Sequence, residues 1–261
     1  MTLLLAGCAQ KPYSAARKIY KKQLKASYKQ LKSMEAPLLK DSLLVLPAGF
    51  IPTSNFNLRK PNFVVIHHTA QNSCEQTYRT FTLPRTQVSA HYVICKDGTV
   101  TQMLNDYLRA WHGGRGKWGN VTDLNSVSIG IELDNNGYES FSPMQINSLL
   151  VLLDTLKEKY NIPAANFIGH ADMAPTRKQD PNARFPWKKL AREGFGRWYS
   201  RLQDTVPAGF DPMKALRLIG YDTSLPEAAV KAFKLHFVQR DTTGQLTPYD
   251  ERVLFSLTKD F

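Results

Sequence analysis

The chain has 261 residues, 43% hydrophobic and 21% charged, which is globular composition and enough length for one medium domain plus a small one. A net charge of +12 suits a polyanionic partner such as an anionic membrane surface or an anionic wall polymer. It does not argue for nucleic acid, because the sequence holds no zinc-finger spacing, no aromatic RNP-like strand and no basic recognition helix.

The charge is uneven. Residues 1–50 carry nine Lys/Arg against two acids, so more than half of the excess lies in the first fifth of the chain. Leu5-Ala6-Gly7-Cys8 matches the lipobox pattern, in which small residues precede a cysteine that becomes lipidated. Only a short apolar run precedes Cys8, with no Lys or Arg, whereas a complete signal has a basic start and roughly 7–15 apolar residues. The true signal is therefore expected to begin upstream of Met1. Residues 1–8 are read as a signal remnant and 9–48 as a basic helical tether. Within the tether, Tyr20, Leu24, Tyr28 and Leu31 recur at helical spacing, with Lys18, Lys21, Lys22, Lys25, Lys29 and Lys32 filling the other face. Such a helix either lies on anionic headgroups or packs on the rest of the protein with its lysines solvated.

Residues 49–204 read as an α/β domain with a mixed central β-sheet flanked by helices. The apolar run Phe63-Val64-Val65-Ile66 predicts a buried strand that ends in His67 and His68. A helix is expected over 73–81. Strands at 91–95 and 99–103 flank Lys96-Asp97-Gly98 as a hairpin with a tight turn. A further apolar strand covers 127–133 and ends in Glu132. Ser142-Pro143-Met144-Gln145 predicts a capping box opening a long helix, which Asn161-Ile162-Pro163 ends. A short strand at 166–169 delivers His170, a long polar loop covers 171–187, and a last helix is expected over 187–202. Pro207-Ala208-Gly209 reads as a linker into residues 207–261, where three short helices near 211–219, 226–238 and 248–258 form a small domain. Some 50 residues make a marginal core alone, so docking onto the larger domain is expected.

Three cysteines are present. None sits in a CxxC pair, which argues against a cysteine zinc site. With Cys8 lipidated, Cys74 and Cys95 are left either to pair in an oxidising compartment or to stay as buried free thiols. Of the six histidines, His67 ends a strand, and His170 with Asp180 brackets the long loop. Two histidines and a carboxylate make a sensible hydrolytic zinc set that leaves room for water, although the three are far apart in sequence.

Several segments, in order, carry a resemblance: His67-His68-Thr69-Ala70; Val88-Ser89-Ala90-His91-Tyr92 before Asp97-Gly98; Ser126-Val127-Ser128-Ile129-Gly130-Ile131-Glu132; and Gly169-His170-Ala171-Asp172 continuing through Ala174-Pro175, Arg177-Lys178 and Asp180-Pro181. Over roughly residues 55–200 this resembles the N-acetylmuramoyl-L-alanine amidase family, which shares its fold with peptidoglycan recognition proteins and T7-type phage lysozyme. The resemblance implies one zinc ion per chain on His67, His170 and Asp180, with Asp180 standing where some relatives have cysteine. It implies Glu132 as catalytic acid–base and Lys178 as the basic residue near the zinc. Zinc at such a site lowers the pKa of a water to roughly 7, and an ammonium stabilises the oxygen that turns anionic as the amide carbon becomes tetrahedral. Trp111-His112-Gly113-Gly114 resembles the family's substrate-side segment, so Trp111, His112 and His91 are taken as substrate contacts. Trp111 and Trp118 either stack on sugars or fill core, His68 is expected to support the site, and His236 is expected to be structural. Residues 229–237 look like the core of a three-helix peptidoglycan-binding domain.

The implied activity is hydrolysis of the amide between N-acetylmuramic acid, or its anhydro form, and the L-alanine of the stem peptide. The implied partners are peptidoglycan or its fragments and a membrane reached through Cys8. The implied location is the periplasmic side of a bacterial membrane. Ala9 after Cys8, where inner-membrane retention usually needs Asp, points to the outer one. A non-catalytic peptidoglycan-binding lipoprotein and a zinc peptidase acting within stem peptides are the competing readings.

Overall fold

The computed structural model describes residues 12–33, 55 and 57–259, so Cys8, its lipobox and residues 34–54 lie outside the described chain. Residues 1–57 and 58–261 form separate units. In the first, helix α1 (Ser14–Ser33) exposes Tyr28 and Leu31 beside its lysines. Among the described residues, no helix is long and apolar enough to cross a membrane.

The second unit is built on a five-stranded sheet in the order β3-β2-β4-β1-β5. The strands are β1 (Phe63–His68), β2 (Tyr92–Ile94), β3 (Val100–Gln102), β4 (Ser128–Leu133) and β5 (Phe167–Gly169). Strand β3 runs antiparallel to β2, and the other neighbours are parallel. The sheet is therefore mixed, as the sequence predicts. The continuous apolar runs of β1 and β4 follow from burial on both faces. Side-chain alternation assigns those faces. Val64 and Ile66 of β1 join Ile129, Ile131 and Leu133 of β4 in the core under helix α4 (Pro143–Tyr160), whereas Phe63 and Val65 point to the other face with Leu124, Ile168 and Met173. By the same parity His67 shares the second face with Ser128, Gly130 and Glu132. That face carries α3 (Leu124–Val127) and α5 (His170–Met173).

Three local expectations change. Ser142 caps α4 by accepting from the Gln145 amide at 3.1 Å, but the Gln145 side chain does not close a capping box. It is fully buried and its amide donates to the Ile94 and Asp134 carbonyls at 2.8 and 3.1 Å, where it bridges the ends of β2 and β4 beside the hydrogen bond from the Asp134 amide to the Ile94 carbonyl. The stretch 171–187 is not all loop, since α5 begins at His170 itself. Helix α6 (Trp187–Arg192) stops ten residues before Leu202. Gly194 and Gly196 adopt φ of +85° and +89°, which breaks the helix and turns Phe195 onto Phe167 in the core. Helix α2 (Cys74–Thr82) follows the Ser73 cap. Cys74 and Cys95 form a disulfide between α2 and the end of β2, which decides the alternative left open by the sequence.

The C-terminal helices are α7 (Pro212–Ile219), α8 (Pro226–Phe233), continued by a π-helical turn over 234–238, and α9 (Pro248–Thr258). Each α-helix opens on proline, which fits the first turn, and Thr247 and Asp250 cap α9 reciprocally. Leu216, Phe233 and Leu254 form the centre of their shared core, and Trp118, Trp198, Tyr199 and Leu202 from the preceding chain pack against it. Trp118 thus fills a joint rather than standing in a sugar site. Its ring lies edge-on to Tyr221 and covers Gly220, where a Cβ would sit 2.6 Å from it.

Candidate metal centre

The parallel pairing places His67 level with Glu132, and Ile66 level with Gly169 just before His170. Three side chains therefore emerge at the C-terminal ends of three adjacent parallel strands, where ligand sites form in open α/β sheets. Asp180 returns to them because the Ala171 amide donates to its carbonyl at 2.8 Å. His67 Nδ1 lies 2.8 Å from His170 Nδ1 and 3.1 Å from Asp180 Oδ2, and His170 Nδ1 lies 3.0 Å from the same oxygen. All three residues are buried and could hold a metal ion.

The hydrogen bonds behind these atoms decide which nitrogens carry protons. His170 Nε2 lies 2.9 Å from the Gly113 carbonyl, which can only accept, so Nε2 bears the hydrogen. Arg177 also donates to the Gly113 carbonyl at 2.9 Å and holds that loop in place. His67 Nε2 lies 3.0 Å from His112 Nδ1, His112 Nε2 lies 3.1 Å from Ser128 Oγ, and Ser128 donates to the Leu124 carbonyl at 2.5 Å. Read back from that carbonyl, each link donates toward Leu124, so His67 Nδ1 is bare in the neutral ring. Two imidazole lone pairs and a carboxylate oxygen converge with no proton assigned between them. Burial, then the neighbouring His170, pushes the His67 pKa down to about 4. Burial also pushes His112 well below its ordinary value. Burial acts to raise Asp180, but the adjoining His170 and His67 rings outweigh it and hold the carboxyl well below the usual range. Neutral imidazoles and an ionised carboxylate are the forms that ligate a divalent cation.

Glu132 is buried on the same face, and burial, reinforced by the charge of Asp180 and offset by Lys178, pushes its pKa up to about 8. Its Oε2 has no hydrogen-bond partner among the described residues. Lys178 is half-buried, and its charge acts on both His67 and Glu132. Trp111 is 53% exposed next to this site in sequence. His112 is buried behind His67 with both ring nitrogens engaged, and the absence of a side chain on Gly130 makes room for it, since a Cβ there would lie 2.4 Å from its Cγ. The substrate contact expected of His91 is corrected. Its ring is fully buried, accepts from the Gly130 amide at 3.0 Å and donates to the Leu108 carbonyl at 3.0 Å, so it ties β4 to the chain before Trp111. His68 accepts from the Asn182 amide at 3.2 Å and steadies the turn after Asp180.

Sequence reasoning missed the carbonyl of Gly113, the side chain of Asn125 that accepts from the His112 and Gly113 amides at 3.2 and 2.8 Å, and the guanidinium of Arg177. Carbonyl direction has no residue signature. Asn125 stands just before the quoted Ser126–Glu132 segment and offered the one local hint.

The chain is similar to known amidases. Residues 57–183 match the family model Amidase_2, described as N-acetylmuramoyl-L-alanine amidase. The chain is 36% identical over 151 residues to N-acetylmuramoyl-L-alanine amidase AmiD of Escherichia coli, covering 52% of this chain and 54% of that protein. It is 36% identical over 104 residues to 1,6-anhydro-N-acetylmuramyl-L-alanine amidase AmpD of Haemophilus influenzae, covering 40% and 56%. These matches span about half the length of the curated relatives. The structure of E. coli AmiD with the substrate anhydro-N-acetylmuramic acid-L-Ala-D-gamma-Glu-L-Lys superposes with a TM-score of 0.70 at 28% identity, over 80% of this chain and 93% of that one. AmpDh3 of Pseudomonas aeruginosa with anhydromuramic pentapeptide superposes with a TM-score of 0.70 at 26% identity, over 84% and 98%.

Proposed function

Through residues 57–183 this chain belongs to the N-acetylmuramoyl-L-alanine amidase family, and from that premise we propose that it is a zinc hydrolase of the amide between the lactyl carbonyl of N-acetylmuramic acid and L-alanine. The anhydro-sugar peptides bound by the AmiD and AmpDh3 structures are the first substrates to try. One observation carries the zinc: His67 Nδ1, His170 Nδ1 and Asp180 Oδ2 meet within 3.1 Å as three acceptors whose donors are all committed elsewhere. Such a donor set suits a divalent cation. Zinc held there supplies Lewis acidity, acidifying a water and polarising the amide carbonyl.

The chain's own residues supply the rest. Glu132, with its unpartnered Oε2 facing the cluster's side of the sheet, accepts the proton of the attacking water and delivers it to the departing L-alanine amine. Lys178 offsets the negative charge that grows on the carbonyl oxygen. Trp111 offers an exposed apolar face to the sugar. The test is digestion of anhydromuramyl peptide by wild type and Glu132→Ala, with product masses. Wild type should free an intact peptide beginning with L-alanine, and equal release by the variant would refute the mechanism.

We further propose that the enzyme works on the periplasmic side of a bacterial membrane, the outer one, through lipid on Cys8, with α1 as a basic spacer. The Cys74–Cys95 pairing suits an oxidising compartment, and the lysines of α1 suit anionic headgroups. In cells, Cys8→Ala should move the protein from the membrane to the soluble fraction. Unchanged fractionation would reject the anchor.

A further inference from the structure

The C-terminal helices do more than sit beside the sheet. Asp172, one turn into α5 and two residues beyond His170, is buried, and three donors meet its carboxylate. The Gly169 amide donates to Oδ2 at 2.7 Å. The other two come from the C-terminal domain: Tyr221 Oη donates to Oδ1 at 2.7 Å, and His236 Nδ1 donates to Oδ2 at 2.8 Å. His236 also stacks on Trp187, with ring centroids 3.9 Å apart and planes 15° from parallel. Trp187, Pro181 and the Asp172 carboxylate crowd Gly169 so closely that a Cβ there would lie 3.0, 3.0 and 3.2 Å from them. Gly169 is the hinge from β5 into α5, and the next residue is His170.

A second contact runs to the same ligand from its other side. Gly220, just before Tyr221, accepts from the Gly119 amide at 2.7 Å, and the Lys117 amide donates to the Met173 carbonyl at 2.7 Å. That segment continues back to Gly113, whose carbonyl fixes the His170 ring. The C-terminal domain therefore holds both the backbone turn that presents His170 and the loop that orients it. A buried carboxylate stripped of two donors is costly to leave in place, so its turn would reorganise.

We infer that Tyr221 and His236 are positioning residues for the metal ligand His170, which makes the C-terminal domain a structural part of the metal centre and not only a wall-binding attachment. The inference rests on the zinc reading above. Residues that orient a ligand typically change metal affinity 10–100-fold when altered.

The experiment uses the full chain and measures zinc dissociation constants by competition with a chromophoric chelator, together with the visible spectrum of the cobalt(II)-substituted protein. Tyr221→Phe removes one donor without changing volume, and His236→Leu removes the other. His236→Asn puts an amide donor where Nδ1 stood, within reach of Oδ2. Val253→Ala loosens the C-terminal core without touching Asp172. Tyr221→Phe and His236→Leu should each weaken zinc at least ~10-fold and alter the cobalt spectrum, while His236→Asn and Val253→Ala keep wild-type values. Unchanged affinity and spectrum in Tyr221→Phe, or equal losses in Val253→Ala, would overturn the inference while leaving the zinc reading intact. Should Tyr221→Phe fail to fold, the contrast between His236→Leu and His236→Asn decides in the same way. A wild-type chain that takes up no zinc overturns both.

Discussion

His67 and Glu132 are register partners on neighbouring parallel strands, so their side chains leave the same face of the sheet at the same level. A ligand and a proton carrier are thereby fixed relative to each other by backbone hydrogen bonds and not by a loop. Glu132→Gln keeps the size of the side chain and removes its basicity. It should lower kcat/KM by about 10²–10⁴-fold while zinc stays at one per chain by metal analysis. Loss of zinc along with activity would show that Glu132 holds the site together and is not the acid–base.

Removing the metal should cost stability as well as activity. The bare His67 and His170 nitrogens face each other at 2.8 Å with Asp180 beside them, an arrangement that favours a bound cation. A ligand that binds only the folded state adds about 4 kcal/mol at a thousandfold excess over Kd. Chelated protein should therefore melt several degrees lower than zinc-loaded protein, with recovery on adding zinc. Identical melting curves would count against a site made by these residues.

The relay behind His67 predicts effects at residues that touch no substrate. His112→Ala leaves His67 Nε2 without its acceptor and should weaken zinc binding about 10–100-fold. Gly130→Ala puts a Cβ 2.4 Å from the His112 ring, and overpacking of this kind costs roughly 1–3 kcal/mol. The Gly130 variant should show both losses, a lower urea midpoint and weaker zinc binding. Wild-type zinc affinity in both variants would mean that the His67–His112 bond does not orient the ligand.

How much of this was legible depends on whether a feature is periodic or spatial. The apolar runs of β1 and β4 and the stripe of α4 repeat in sequence, so the sheet and its covering helix could be read directly. Residue types suggested the ligand set and the resemblance implied it, because spacing alone says little about His67 and Asp180, 113 residues apart. Gln145 misled because capping pattern and buried amide look alike until the strand ends beside it are known. His91 and His112 stood near the right motifs, but only the position of Gly130 and the carbonyls of Leu108 and Leu124 shows that both rings face inward. Nothing local in Tyr221 announces that its hydroxyl meets Asp172.

His91 supplies the pH prediction. Burial, opposed by its bond to Leu108, pushes its pKa down to about 4 from the ordinary 6.5. The Gly130 amide needs a bare Nδ1, so the folded state resists the proton. Between pH 6.5 and 4 the unfolded chain therefore binds more protons at this group than the folded one, and stability falls as pH falls. Its contribution is fully present above 6.5 and is lost as pH drops through 4. At ~1.4 kcal/mol per pKa unit the loss is roughly 3 kcal/mol. Other titrating groups cancel when wild type is compared with His91→Gln. Urea unfolding of zinc-free protein at pH 7.5 and 4.5 should show the advantage of wild type over the variant shrinking by about 2–3 kcal/mol at the lower pH. A difference that stays constant between the two would mean that His91 takes up its proton as readily folded as unfolded.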